Sequence, residues 1–230
     1  MVIIMEYEIK GGPFPIVICY LKNGEKMKTE SGGMALMTPR IKMETTSDGG
    51  IIKGLGRALS GESMFLTYYT AEDDGQHVGF ASTFPGKIIP LNISEDRPII
   101  AQKSAFLAGE EGVDIKMHFR KNLGAGLFGG EGFILQKISG NGVAFLEIDG
   151  DILEYDLKDG EELVIDQGHL GAMDETVSFD IQRVKGAKNM LLSGEGVFLA
   201  RLTGPGKVWI QTMPLPTLAG AIIPYLPTKS

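Results

Sequence analysis

From Val113 to Arg120 the chain alternates strictly, with Val113, Ile115, Met117 and Phe119 apolar and Asp114, Lys116, His118 and Arg120 polar. A period of two marks a strand with one buried and one wet face. Elsewhere strands are predicted as short apolar runs rich in β-branched and aromatic residues, set between turn residues. Phe14 to Leu21 is such a run, and Lys22-Asn23-Gly24-Glu25 predicts a tight reversal onto a half-exposed partner at Glu25 to Glu30. Met34 to Met37 and Ile41 to Thr46 predict two more strands, broken by Pro39. Three hairpins are expected: Met64 to Thr70 with Gln76 to Ala81, Phe133 to Ile138 with Val143 to Ile148, and Val197 to Leu202 with Lys207 to Gln211. Helix is limited to one turn at Leu55 to Leu59, and the four prolines of the tail after Met213 predict neither a regular helix nor a central strand there.

The pattern also repeats over long distances. Gly61-Glu62-Ser63-Met64-Phe65 returns as Gly130-Glu131-Gly132-Phe133 and Gly194-Glu195-Gly196-Val197-Phe198, at spacings of 69 and 64 residues. A second unit has a glycine, an apolar strand, an acidic turn, a strand and a small apolar group. It runs from Gly86 through Ser94-Glu95-Asp96-Arg97 to Phe106-Leu107-Ala108, and again from Gly150 through Lys158-Asp159-Gly160-Glu161 to Leu170-Gly171-Ala172. Phe14 to Met37 has the same rhythm. These periods predict one all-β domain of three repeats, about residues 1–83, 84–148 and 149–213, with an apolar C-terminal tail at 214–230.

Composition narrows the function classes. A chain of 230 residues that is 43% hydrophobic can bury a large core, and its 32 glycines and 11 prolines suit many short strands joined by turns. The net charge of −7 opposes DNA binding and disfavours RNA, since nucleic-acid backbones are held by lysine and arginine. Cys19, the only cysteine, lies in an apolar run, so no internal disulfide forms and a cytoplasmic, reducing setting is expected. The start, Met1 to Glu6, has no basic region of a signal peptide, and no stretch has the roughly 18 uninterrupted apolar residues of a membrane helix.

Candidate chemistry is sparse. Gly124-Ala125-Gly126-Leu127-Phe128-Gly129 matches the dinucleotide fingerprint in letters, but a strand rather than a helix follows it, which removes the anion-binding helix terminus. His77, His118 and His169 have no second histidine or cysteine at ligand spacing, so no metal and no cofactor is predicted. No Gly-x-Ser-x-Gly elbow occurs. The repeat places Glu62, Glu131 and Glu195 at equivalent positions, where they either cap their own glycine-rich turns or line one mouth of an axis as a carboxylate ring. Arg57 is the cation nearest the first of them, paired with Glu62 or reaching an anionic partner. Met27, Met34, Met37 and Met43 read as core filler.

Gly54-Leu55-Gly56-Arg57 with Gly61-Glu62-Ser63-Met64-Phe65, the block Phe84-Pro85-Gly86-Lys87-Ile88-Ile89-Pro90-Leu91, and Phe106-Leu107-Ala108 together resemble the family named for altered inheritance of mitochondria. The resemblance covers nearly the whole chain. It implies an all-β, TRAP-like double-stranded β-helix or sandwich with three repeats in pseudo-threefold arrangement, further assembled as a homo-oligomer, a trimer. It implies no established catalytic residue. The expected function is a non-enzymatic binding or scaffold protein with a protein partner, linked by family analogy to membrane or envelope organisation. The alternatives are a small-molecule binder or enzyme with a pocket between repeats, which would use Arg57, Glu62 and one histidine, and an RNA binder, which the charge disfavours.

Overall fold

A computed structural model describes residues 5–30, 32–47, 65–121, 133–183 and 198–226, and most of them lie in antiparallel strands. The first sheet has the order β1 (Glu6–Lys10), β2 (Ile16–Leu21), β7 (Gln76–Ala81), β4 (Met34–Met37). The second runs β5 (Ile41–Ser47), β6 (Phe65–Ala71), β3 (Lys26–Thr29), β10 (Phe106–Glu110), β13 (Gly142–Asp149), β8 (Gly86–Ile93). The third runs β11 (Val113–Lys121), β12 (Phe133–Gly140), β9 (Ile99–Gln102), β16 (Leu170–Asp174), β19 (Gly206–Gln211), β14 (Ile152–Leu157). The fourth is β15 (Glu162–Asp166), β18 (Phe198–Thr203), β17 (Ser178–Arg183). The fold is all-β, as the turn-rich composition predicts.

Three hydrophobic cores lie between these sheets in succession. Val17, Cys19 and Phe80 of the first sheet meet Met27, Tyr69 and Phe145 of the second. Phe106, Ala144 and Leu146 of the second meet Ile99, Ala101, Ile138 and Trp209 of the third. Ile100, Leu135, Met173 and Val208 of the third meet Ile181 and Leu202 of the fourth. The inner sheets are therefore buried on both faces. Val143 and Phe145 of β13 enter the first core while Ala144 and Leu146 enter the second, which is why this strand reads as an unbroken apolar run. Edge-to-face aromatic pairs lock the first core, Tyr7 with Phe145 at 5.0 Å and Tyr69 with Phe80 at 5.5 Å.

The strands fall where the sequence predicts them, but the three expected hairpins are overturned. β6 pairs with β5 and β3, whereas β7 pairs with β2 and β4. In the same way β12 and β13 belong to different sheets, and so do β18 and β19. Each connecting turn carries the chain across a core to the opposing sheet, and period-two patterning specifies which face is buried, not which strand lies alongside. The expected half-exposed partner of β2 is likewise β3 of the opposing sheet, with Met27, Lys28 and Thr29 all buried. In β11, Val113 and Ile115 are buried, but a register shift between Met117 and Phe119 leaves Met117 exposed.

The tail is a further correction, because Leu215–Ile222 forms a helix, α1. Pro214 stands at its N-cap and Pro216 in its first turn, where a missing N–H leaves no bond unmade. The Leu215 N–H donates to Asp149 Oδ2 at 2.9 Å, and no residue of the helix is buried. No helix among the described residues is long and apolar enough to cross a membrane.

Candidate functional site

The predicted site residues Arg57, Glu62, Glu131 and Glu195 all lie outside the described residues, as does the Gly124 to Gly129 motif. In the chain the three Gly-Glu segments join β5 to β6, β11 to β12 and β17 to β18, and each of these is an antiparallel pair of neighbours. His77 lies beside Tyr20, its ring 5.9 Å away, and His169 bonds through Nδ1 to the Gln211 carbonyl at 2.7 Å. His118 lines a small cavity of about 210 Å³ with Phe119, Phe179 and Glu175. The histidines do not converge, and no group of three metal-ligating side chains forms among the described residues. Cys19 is fully buried, and burial pushes its thiol pKa far up, which keeps it protonated. Met27 is buried and Met34 packs on the first core, while Met37 and Met43 are exposed, so the four do not form one cluster.

Each sheet ends in two edge strands among the described residues, β4 and β15 among them. β10 is paired on both sides, to β13 and, across Gly109↔Lys28 and Glu110↔Met27, to β3. β16 is likewise paired to β19 and, across Ala172↔Ala101, Met173↔Ile100 and Asp174↔Ile99, to β9. β4 pairs only with β7, and β15 only with β18, among the described residues. β4 nevertheless has the same local shape as β10 and β16. Its ladder shifts register between Met34 and Leu36, as those of β10 and β16 shift between Phe106 and Ala108 and between Leu170 and Ala172. The N–H of the second residue of the neighbouring strand then bonds to a side chain at the strand's end: His77 to Thr38 Oγ1 at 3.1 Å, Val143 to Glu110 Oε2 at 2.5 Å and Lys207 to Asp174 Oδ2 at 2.8 Å. The open edges are apolar, with Leu36 at 40%, Met37 at 39% and Val164 at 50% exposure, whereas Met173 and Ile100 in the closed seam are at 2% and 1%.

A cavity of about 660 Å³ opens at the β3–β10 seam. Met5, Leu21, Ile93 and Val143 supply its apolar surface, and Glu25, Lys26, Glu110, Glu111, Asn92 and Asn141 supply polar groups. Gly142, at φ +142°, is required here, since a Cβ would stand 2.9 Å from Glu110 Oε2. Lys26 is held by Glu111 at 2.7 Å, and Glu25 caps its own turn by accepting the Lys22 N–H at 2.8 Å. Burial raises the Glu110 carboxyl above the ordinary carboxylate range; the Val143 N–H opposes this and the nearby Glu25 charge adds to it. Sequence reasoning missed this site because its residues come from positions 5 to 143. The local signals were the Glu110-Glu111 pair after the small apolar group and Asn141-Gly142.

Both the fold and the sequence have relatives among known proteins. The crystal structure of protein SPYM3_0169 from Streptococcus pyogenes superposes with a TM-score of 0.79 at 28% identity, covering 96% of this chain and 100% of that one. The uncharacterized protein M6_Spy0233 of Streptococcus pyogenes serotype M6 is 32% identical over 225 residues, which is 94% of this chain and 89% of that protein. Neither name carries an activity. Residues 7–213 match the family described as mitochondrial biogenesis AIM24, so this chain belongs to the AIM24 family.

Proposed function

We propose that the protein is a non-enzymatic scaffold of three pseudo-equivalent β repeats, which assembles with further copies of itself into a trimeric ring by pairing β4 of one copy with β15 of the next. The repeats are β2 to β7, β8 to β13 and β14 to β19, close to the boundaries read from the sequence. Two strand orders recur through them and support this reading: β2-β7-β4, β8-β13-β10 and β14-β19-β16, and beside them β5-β6-β3, β11-β12-β9 and β17-β18-β15. The β3–β10 seam joins the first repeat to the second, and β9–β16 joins the second to the third. A third seam of the same kind would need β15 and β4, both of them edge strands.

The observation that carries the proposal is the match between those edges. Carrying the register of the β9–β16 seam onto β15 and β4 sets Met37 opposite Val164 and Leu36 opposite Ile165. Met37, Leu36 and Val164 are among the exposed apolar side chains of the surface. Unpaired, apolar edges are templates for a further strand, and a head-to-tail contact that closes makes a ring. A TRAP-like double-stranded β-helix describes this architecture. A cytoplasmic setting suits the single buried thiol of Cys19. By family analogy the ring serves membrane-associated organisation, with the exposed Ile222, Ile223, Tyr225 and Leu226 of the tail meeting a protein partner. Native mass spectrometry of the full chain tests the assembly. Three times the 24.8 kDa chain mass is expected, and a monomer at micromolar concentration overturns the proposal.

A further inference from the structure

The cavity at the first seam can be read against the second seam of the same chain. Two turns face these seams and close identically: the Glu25 N–H bonds to the Lys22 carbonyl and the Arg97 N–H to the Ser94 carbonyl, both at 3.0 Å. Opposite each stands the carboxylate that ends its strand, Glu110 at the first seam and Asp174 at the second. At the second seam the chain supplies its own cation, since Arg97 Nε lies 3.9 Å from Asp174 Oδ1. At the first seam the place of Arg97 is taken by Glu25, and Glu110 borders the cavity instead.

The first seam therefore holds an acid where its counterpart holds a guanidinium. Its two lysines are engaged at Glu111, Lys26 by the carboxylate at 2.7 Å and Lys28 by the backbone carbonyl at 2.9 Å. Its backbone donors are also committed: the Gly24 N–H to the Ala71 carbonyl, the Asn141 N–H to the Gly112 carbonyl, and the Val143 N–H to Glu110 itself. What faces the space is richer in carboxylates than in cations, with the Asn92 and Asn141 amides able to donate or accept, beside the apolar Leu21, Ile93 and Val143. A ligand must bring the positive charge and the N–H groups.

We propose that this cavity binds a small organic cation whose guanidinium head takes the position Arg97 fills at the second seam, between Glu110 and Glu25, with its alkyl portion over Leu21, Ile93 and Val143. The planar fork of a guanidinium matches a carboxylate in two parallel hydrogen bonds. The inference rests on the repeat reading only in treating the two seams as counterparts, and ring assembly is not needed for it.

Agmatine, a guanidinium joined by a short alkyl chain to a terminal ammonium, is the probe, titrated by calorimetry into the 230-residue protein. Saturable binding at one site per chain is expected. Glu110→Gln, which keeps shape and the acceptor for the Val143 N–H, should weaken binding by at least about tenfold, the effect of losing one charge-assisted bond. Glu25→Arg should abolish agmatine binding, because the chain then carries its own cation as at Arg97. A wild-type protein without saturable binding overturns the proposal, and so does a folded Glu25→Arg variant, verified by circular dichroism, that binds agmatine as tightly as wild type. The Val164→Lys variant, aimed at the ring, should retain wild-type agmatine affinity, so the two proposals fail separately.

Discussion

Val164→Lys isolates the open edge of β15. Val164 is half exposed in the single chain, and its counterpart Ile100 in the closed β9–β16 seam is at 1%. Full burial of a Val, Leu or Met side chain is worth about 1.5–3 kcal/mol, so closing the remaining exposure of Val164, Met37 and Leu36 contributes about 1 kcal/mol each, about 3 kcal/mol per seam. Lysine removes the valine share and sets an ammonium against Met37, where it must leave the seam or lose water. The dissociation midpoint of the oligomer should rise by roughly a hundredfold, the equivalent of about 3 kcal/mol. Sedimentation velocity over a concentration series reads this directly, with Val164→Thr, which keeps the branched shape, expected to fall between wild type and lysine. A Val164→Lys protein that sediments with wild type at every concentration would refute the edge pairing.

Other consequences concern the single chain. A Cβ on Gly86 would stand 2.0 Å from the Ile148 carbonyl oxygen, so Gly86→Ala should cost about 3 kcal/mol and lower Tm by about 6–12 °C, while Gly12→Ala, with open space around it, should leave Tm unchanged. Burial raises the Glu30 carboxyl above its ordinary 4.5, opposed by the hydrogen bond from Gln136 and the charge of Lys103. A raised acid stabilises the fold when protonated, an advantage complete below 4.5 and lost as pH rises through the folded value. Glu30→Gln should therefore flatten the fall in Tm from pH 4.5 to neutrality, and an unchanged slope in thermal melts would contradict this.

Strand positions were legible because burial writes itself locally, as Val17 and Cys19 of β2 or Phe106 and Ala108 of β10 show. Partner choice was not. Lys22-Asn23-Gly24-Glu25 has hairpin-turn chemistry, yet it carries the chain from the first sheet to the second, and nothing local separates a turn within a sheet from one across a core. The tail helix is not legible because four prolines in a short segment read as helix breakers, although Pro214 and Pro216 stand where a helix begins. The cavity was hidden for the same reason as the pairings. Glu25 and Glu110 are 85 residues apart in sequence and meet only because β3 pairs with β10. Arg57, Glu62, Glu131 and Glu195, with the glycine-glutamate repeat that singles out the three acids, fall in segments outside the described residues.

The proposed ring requires β4 of one copy to pair with β15 of another, Met37 facing Val164. Cysteines at these two positions, in a Cys19→Ser background, test it under mild oxidation on a non-reducing gel. A ladder of covalent dimer and trimer that stops at three chains is predicted, with no ladder when Met37→Cys is combined with Leu153→Cys on β14. Chains that remain monomeric, or that link equally well through position 153, would contradict the account.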